Sequence, residues 1–146
     1  MTEEQVSFLC RAKKASYAGN GAETVPSRPA SHDLQYSEGS LVYIDTYLGG
    51  ERFSGEEAVW QDGKPVWSMN YAGRVVDQPF SGEFLKAVLA QVPMDKPFRG
   101  PDYYTDGTYV FEQTAEGGIP WFQGYEKITA GGRLVYELFF HGGTVI

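Results

Sequence analysis

The residues best suited to chemistry are three glutamates in stretches rich in strand-forming side chains. Glu57 and Glu126 occupy equivalent positions in two similar halves of the sequence, and Glu137 lies in the stretch that follows Glu126. A two-residue turn at Gly131-Gly132 would place Glu126 directly opposite Glu137 on neighbouring strands. Two facing carboxylates repel each other, which raises the pKa of one of them unless a cation or solvent relieves the repulsion. We therefore expect Glu126 and Glu137 to form a pair in which one carboxyl has a raised pKa.

Aromatic side chains share the face of the predicted sheet on which these carboxylates are expected to lie. Ring faces attract positive charge, and a nearby carboxylate adds a Coulomb attraction that grows as water is excluded. The pattern predicts a pocket for a small organic ligand, with cationic and aromatic molecules as the best-suited classes, on the face of the sheet that carries no helices. The candidate ligand-binding residues are Tyr43, Asp45, Tyr47, Glu57, Asn70, Trp121, Glu126, Glu137, Phe139 and His141.

Three other interpretations of this face stay open. The face could be solvated, with Glu57 and Glu126 paired to lysine or arginine, because many antiparallel sheets have one wet face. It could be a homodimer interface, where aromatic residues are also enriched. It could also be the active site of a hydrolase, in which the Glu126/Glu137 pair supplies a general base and His141 or Tyr47 exchanges protons with it.

The run Ser31-His32-Asp33 contains the residue types of a nucleophile, a base and an orienting acid. Working triads are usually assembled from separated segments, so hydrogen bonds that anchor a loop are the competing interpretation. A transition-metal site would need His32, His141 and nearby carboxylates, and their spacing does not support one. We expect no metal and no cofactor.

Composition limits the class of protein. With 146 residues, 42% of them hydrophobic and 15% aromatic, the chain is typical of one globular domain, which we assign to residues 1–146. Its formal net charge of -7 disfavours direct binding of nucleic acid, which requires a basic surface. Cys10 is the single cysteine, so an internal disulfide is excluded. Without a signal-peptide pattern or an apolar run of membrane-spanning length, the expected location is the cytoplasm and no membrane partner is expected.

Hydrophobic periodicity and turn residues predict two helices and six strands. The first helix covers residues 3–15, and the second begins after Ser81 and stops at Pro93. Residues 17–39 lack any period and are predicted to form a long loop. The strands are predicted at residues 41–48, 56–61, 64–71, 108–114, 121–129 and 133–141.

An internal repeat organises these elements. Residues 55–73 align without a gap with residues 124–142, and glycine, glutamate and valine recur at the same aligned places. The two halves, about 3–78 and 79–146, are each predicted to contain a helix followed by three strands. The expected fold is α+β: a duplicated helix-strand-strand-strand unit that forms an antiparallel sheet with two helices packed on one face.

A two-residue turn at Asp62-Gly63 sets the predicted register of the first half. It pairs Val59 with Val66 and Glu57 with Ser68, and these side chains are expected on the helix-free face. The other face is richer in apolar residues and is expected to contact the helices. Its members are Val42, Ile44, Leu48, Ala58, Trp60, Trp67, Met69 and Tyr71.

Four segments carry a resemblance to a known family. They are Phe8-Leu9-Cys10-Arg11-Ala12-Lys13-Lys14, Ser31-His32-Asp33-Leu34-Gln35-Tyr36, Tyr43-Ile44-Asp45-Thr46-Tyr47-Leu48-Gly49-Gly50 and Trp121-Phe122-Gln123-Gly124-Tyr125-Glu126. Together they resemble a family of uncharacterised bacterial domains whose members occur alone or behind the helix-turn-helix segment of transcriptional regulators. The resemblance covers nearly the whole chain and implies no established activity, although such a fusion would suit a sensor domain.

A weaker similarity concerns the fold. The segment Ala130-Gly131-Gly132-Arg133, followed by Val135-Tyr136 and His141-Gly142, is similar to hairpins of the GyrI-like effector-binding domains. That resemblance implies a duplicated domain that binds drug-like cations against aromatic rings and buried carboxylates, and some members hydrolyse small molecules. Their units begin with a strand and the units predicted here begin with a helix, so a relation requires a shifted repeat boundary. Similarity of fold alone does not assign a function.

Overall fold

A computed structural model describes residues 1–146 and shows an α+β fold with two helices and eight strands. The elements are α1 (Glu3–Ala15), β1 (His32–Glu38), β2 (Leu41–Gly49), β3 (Arg52–Gln61), β4 (Lys64–Val75), α2 (Gly82–Leu89), β5 (Tyr103–Asp106), β6 (Tyr109–Gly118), β7 (Trp121–Ala130) and β8 (Arg133–Thr144). The expected fold class and the bounds of the first helix are confirmed. Neither helix combines the length and the hydropathy that crossing a membrane requires.

Side-chain caps explain where both helices begin. The Gln5 amide donates to the Thr2 hydroxyl and the Thr2 amide donates to the Gln5 side chain, which completes a capping box at the start of α1. At the start of α2, the Phe84 amide donates to the Ser81 hydroxyl. The capping bonds of both helices satisfy backbone amide groups that have no partner within the helix.

All eight strands form one antiparallel sheet in the order β1-β2-β3-β4-β8-β7-β6-β5. The last strands of the two halves meet at its centre, and each half contributes a helix followed by four consecutive strands. The expected number of three strands per half is wrong, because β1 lies in the segment predicted as a loop and β5 lies between the second helix and residue 108, where no strand was predicted. Both are edge strands with few apolar side chains, so they lack the hydrophobic pattern that reveals an inner strand.

Both central hairpins turn as predicted but contain a bulge that the sequence does not reveal. Asp62-Gly63 and Gly131-Gly132 have positive φ at both positions, as a two-residue type I′ turn requires. A few residues beyond each turn, one residue has no partner across the hairpin: Val66 in β4 and Val135 in β8. The predicted pairing of Val66 across the hairpin is therefore wrong.

The bulge decides which side chains of the first half face the helices. Val59 pairs with Trp67 and Glu57 pairs with Met69, so Glu57 shares a face with the apolar side chains of β4. Asp45 on β2 pairs with Glu57 on β3, so both side chains point to the face that the helices cover. The expectation of a helix-free orientation is therefore wrong for Tyr43, Asp45, Tyr47, Glu57 and Val59. The expectation of a helix-covered orientation is wrong for Val42, Ile44, Leu48, Ala58 and Trp60.

The hydrophobic core lies between this face of the sheet and the two helices. Phe8 and Leu9 from α1 and Phe84 and Leu85 from α2 belong to one cluster of 22 buried residues that also contains Trp67. Because both helices share this cluster, they cover the same face, as predicted. The other face of the sheet carries no helix.

Candidate ligand-binding cavity

A cavity of about 340 Å³ lies between the helices and the first half of the sheet. Its lining comes from both helices, from the five strands β1, β2, β3, β4 and β8, and from connecting segments that include those after α1 and α2. Aromatic rings dominate the wall, and a few charged side chains interrupt it. The rings that line the cavity include those of Tyr17, Tyr43, Tyr47, Phe53, Tyr71 and Tyr136.

One charged group comes from α1. Lys13 lies in the last turn of that helix and is only 8% exposed. Its ammonium group forms an ion pair with Glu57 and donates a hydrogen bond of 2.7 Å to the backbone oxygen of Phe98. The ion pair compensates the charge of Glu57, which would be costly to bury alone.

A second buried ion pair lies beside the first. Arg99, in the segment between α2 and β5, donates from Nε and Nη2 to the two oxygens of Glu126 at 2.9 and 2.8 Å. The Tyr136 hydroxyl donates to the same carboxylate at 2.8 Å. Arg99 Nη1 also lies 3.7 Å from a Glu57 oxygen, which links the two ion pairs. Bidentate geometry with an additional donor holds both side chains in one arrangement.

Asp45 is the carboxyl of the cavity that has no cation of its own. It is 5% exposed, and its hydrogen-bond partner is Tyr71, whose hydroxyl donates to Oδ1 at 2.6 Å. Burial, and then the repulsion of Glu57, raises the pKa of Asp45 to about 7. A titratable group with such a shifted pKa inside a cavity is typical of a functional site.

The sheet separates the predicted ligand-binding residues into two groups. One group lines the cavity: Tyr43, Asp45, Tyr47 and Glu57. Glu126 holds Arg99 next to the cavity. The second group lies on the helix-free face: Asn70, Trp121, Glu137, Phe139 and His141. Side chains that were expected to share one face therefore lie on opposite sides of the sheet.

Glu126 and Glu137 do not face each other, contrary to the prediction. The bulge in β8 makes Glu126 pair with Leu138 and Glu137 pair with Lys127, so the two carboxyls point to opposite faces. On the helix-free face, Glu137 accepts hydrogen bonds from Arg74 and Tyr125. Both bonds lower the pKa of Glu137, and the bond from Arg74 has the larger effect. The expected repulsion between two glutamates is therefore absent.

Three important residues of the site were not among the candidates: Lys13, Tyr71 and Arg99. Lys13 carries a usable signal, because a lysine on the apolar stripe of a helix is rarely buried without a partner. Tyr71 was correctly expected under the helices, but its partner Asp45 was assigned to the other face. Arg99 lies in a proline-containing segment without periodicity, and nothing in the local sequence marks it.

The run Ser31-His32-Asp33 anchors a loop beside the cavity. Ser31 donates to Asp33 at 2.6 Å, and Asp33 also accepts from the Ser27 amide and the Thr46 hydroxyl. His32 instead lies 2.9 Å from Glu23 and stacks on Tyr47, with ring centroids 4.7 Å apart. The three side chains therefore do not form the hydrogen-bonded chain of a catalytic triad.

A family model covers most of this site. The model described as Domain of unknown function (DUF5680) matches residues 45–145. The matched range begins at Asp45 and includes Tyr71, Arg99 and Glu126, whereas α1 with Lys13 precedes it. No curated protein and no solved structure gives a significant match.

Proposed function

The chain belongs to the family described as Domain of unknown function (DUF5680), and we propose that it binds a small organic molecule in the cavity between its helices and the first half of its sheet. The observation that carries this proposal is a ring-lined cavity of about 340 Å³ that contains a buried carboxyl, Asp45, without a cation. Apolar cavities of about 300–1,000 Å³ with a few polar groups are typical of small-molecule sites. A role in binding or sensing requires no reaction at this site.

The polar groups around the cavity are held in place, which suits recognition. Lys13 and Arg99 are fixed by their ion pairs with Glu57 and Glu126. Tyr71 is fixed by its hydrogen bond to Asp45. A ligand that enters such a preorganised cavity loses little free energy to the ordering of protein side chains.

The alternatives have less support from the geometry. The predicted hydrolase needs Glu126 or Glu137 as a general base within reach of its substrate. Glu126 is bound by Arg99 and Tyr136, and Glu137 lies on the other side of the sheet from the cavity. A homodimer through the helix-free face stays an alternative, because Trp121 and Phe139 are 83% and 62% exposed there.

A tryptophan that fills the cavity tests the proposed function. Ala18 lines the cavity and Ala87 lies on the exposed side of α2, so Ala18→Trp and Ala87→Trp add the same ring inside and outside it. Saturation-transfer NMR with small aromatic amines and their uncharged analogues should detect binding to the wild type and to Ala87→Trp, and not to Ala18→Trp. Equal binding to all three proteins, or no binding to the wild type, would contradict the proposal.

A further inference from the structure

The charged side chains at and beside the cavity do not balance. Lys13 is paired with Glu57, and Arg99 is paired with Glu126. Asp45 lies within ion-pair distance of neither cation. Three carboxylates therefore face two cations, and an ionised Asp45 leaves one negative charge uncompensated in a buried place, where such a charge is costly.

The surroundings of Asp45 offer a single hydrogen bond. Leu34 lies opposite Asp45 on β1, and Glu57 lies opposite it on β3. Tyr71 donates to Oδ1, and the second carboxyl oxygen has no hydrogen-bond partner. Titratable or charged groups reach Asp45 or line its cavity from every neighbouring element: Lys13 from α1, Tyr17 from the loop after α1, His32 from β1, Tyr43 and Tyr47 from β2, Glu57 from β3, Tyr71 from β4, Arg99 from the segment before β5 and Tyr136 from β8.

The second half of the molecule has an uncharged residue at the equivalent place. Asp45 lies opposite Glu57 in the first half, and Gln113 lies opposite Glu126 in the second half. The same strand pairings identify three more equivalent positions in the two halves. Phe111 corresponds to Tyr43, Ala115 corresponds to Tyr47, and Phe140 corresponds to Tyr71. The fold therefore forms without an acid or these hydroxyls, so the carboxyl of Asp45 is a property of the cavity and not a requirement of the architecture.

An aromatic ring occupies the corresponding space in the second half. Phe98 stacks on Phe122 with ring centroids 3.8 Å apart and lies 6.3 Å from Phe140. The first half has no such filling, and its polar residues surround open space instead. The two halves therefore differ most where the cavity lies: polar residues surround open space in one half, and packed aromatic rings fill the other.

We propose that Asp45 makes the cavity selective for organic molecules that carry one positive charge, and that such a ligand replaces a proton on the Asp45 carboxyl. This inference rests on the proposed function, since it names the class of ligand for the same cavity. A monocation beside Asp45 balances its negative charge, which neither ion pair compensates. The tyrosine rings nearby add a favourable cation–π term.

Exchange of a proton for the ligand makes binding depend on pH near neutrality. Burial and Glu57 raise the pKa of Asp45 to about 7, so the carboxyl is neutral below that pH and ionised above it. The affinity for a monocation should therefore be constant above about pH 7. It should fall roughly tenfold for each pH unit below that value.

Isothermal titration calorimetry with two matched probes tests the inference. Benzylammonium stays a monocation between about pH 5.5 and 8.5, and benzyl alcohol is an uncharged molecule of nearly the same shape. The wild type should bind benzylammonium about tenfold more tightly than benzyl alcohol at about pH 8, because a hydrogen bond to a charged group is stronger than a neutral one. Titrations at about pH 6 in buffers of different ionisation enthalpy should show release of close to one proton per cation bound.

Two variants assign the effect to Asp45. Asp45→Asn should bind both probes equally at every pH, and its circular dichroism and benzyl alcohol affinity show whether the fold is intact. Tyr71→Phe retains the carboxylate but removes the hydrogen bond that lowers its pKa. The midpoint of the pH dependence should therefore move to a higher pH in Tyr71→Phe.

The outcomes separate this inference from the proposed function. Equal affinities of the two probes for the wild type, or a pH dependence that persists in Asp45→Asn, would overturn the selectivity and leave the cavity as a ligand site. Binding of neither probe to the wild type would overturn both.

Discussion

Two buried carboxyls of this protein differ because of their partners and not because of their burial. Glu126 accepts hydrogen bonds from Arg99 and Tyr136, whereas Asp45 accepts one from Tyr71. In a medium of low dielectric constant, a carboxylate with a bidentate cation keeps its charge at an acceptable cost, and one without a cation tends to take up a proton. The positions of the partners therefore determine which acid can exchange a proton.

The stability of the protein should depend on pH through Asp45. Its pKa of about 7 in the folded state lies above the value of 3.8 for an unperturbed aspartate, so the folded state holds a proton that the unfolded state has lost between those pH values. The free energy of unfolding should therefore fall as pH rises from about 4 to about 7. Asp45→Asn should remove this fall and be more stable than the wild type at about pH 8, by on the order of a few kcal/mol.

Urea denaturation at about pH 5 and about pH 8 measures this effect. Asp77→Asn is the control, because Asp77 is exposed and its pKa is lowered by the Gln78 amide and by Arg133. That variant should keep the wild-type fall across this range. An Asp45→Asn protein whose stability falls as steeply as that of the wild type would show that Asp45 is not the titrating group.

The ion pair of Arg99 should be far more important for stability than an exposed pair. Arg99→Met leaves Glu126 buried without a cation, which should lower the free energy of unfolding by about 3–5 kcal/mol. The same substitution at Arg11, whose pair with Glu38 is solvent-exposed, should cost far less, because water screens an exposed ion pair. Chemical denaturation of both variants makes the comparison. Similar losses in the two proteins would contradict this account of the buried network.

At the scale of elements, the sequence predicts turns and helices better than it predicts registers. The capped first helix and both two-residue turns are as predicted, because the residue types that form them act locally. The bulges are not predictable in this way, since Val66 and Val135 suit a regular strand as well as a bulge. One extra residue changes the face of every side chain that follows it, and for this reason the site was expected on the wrong side of the sheet.

Close ring contacts over two glycines should make those positions intolerant of a side chain. A Cβ at Gly124 would lie 2.1 Å from the ring of Phe140, and a Cβ at Gly55 would lie 2.5 Å from the Tyr71 hydroxyl. Gly124→Ala and Gly55→Ala should each lower the free energy of unfolding by about 1–3 kcal/mol. Gly82→Ala, where a Cβ meets nothing within 4 Å, should change it by less than about 1 kcal/mol. Thermal denaturation of the three variants checks this, and equal stability of all three would refute the contact argument.

At the scale of the whole molecule, two similar halves have acquired different interiors. Each half has a helix, four strands, a two-residue turn and a bulge at the equivalent valine, and the halves meet through β4 and β8. Open space lies around Asp45 against the first half of the sheet, and Phe98 packs against Phe122 of the second half. A shared architecture therefore supports one interior suited to a ligand and one suited to stability.

Removal of the Phe98 ring should extend the cavity toward the second half at a cost in stability. Phe98 both lines the cavity and stacks on Phe122, so Phe98→Ala should lower the free energy of unfolding by about 3–5 kcal/mol. It should also raise the affinity for 1-naphthylmethylammonium relative to benzylammonium, because a two-ring cation needs more space than the wild-type cavity offers. Phe139→Ala is the control, because it removes the same ring from the helix-free face, where Phe139 is 62% exposed. It should change the free energy of unfolding by no more than about 0.5 kcal/mol and leave the ratio of affinities unchanged. An unchanged ratio in Phe98→Ala, measured by calorimetry at about pH 8, would mean that Phe98 does not set the size limit of the site.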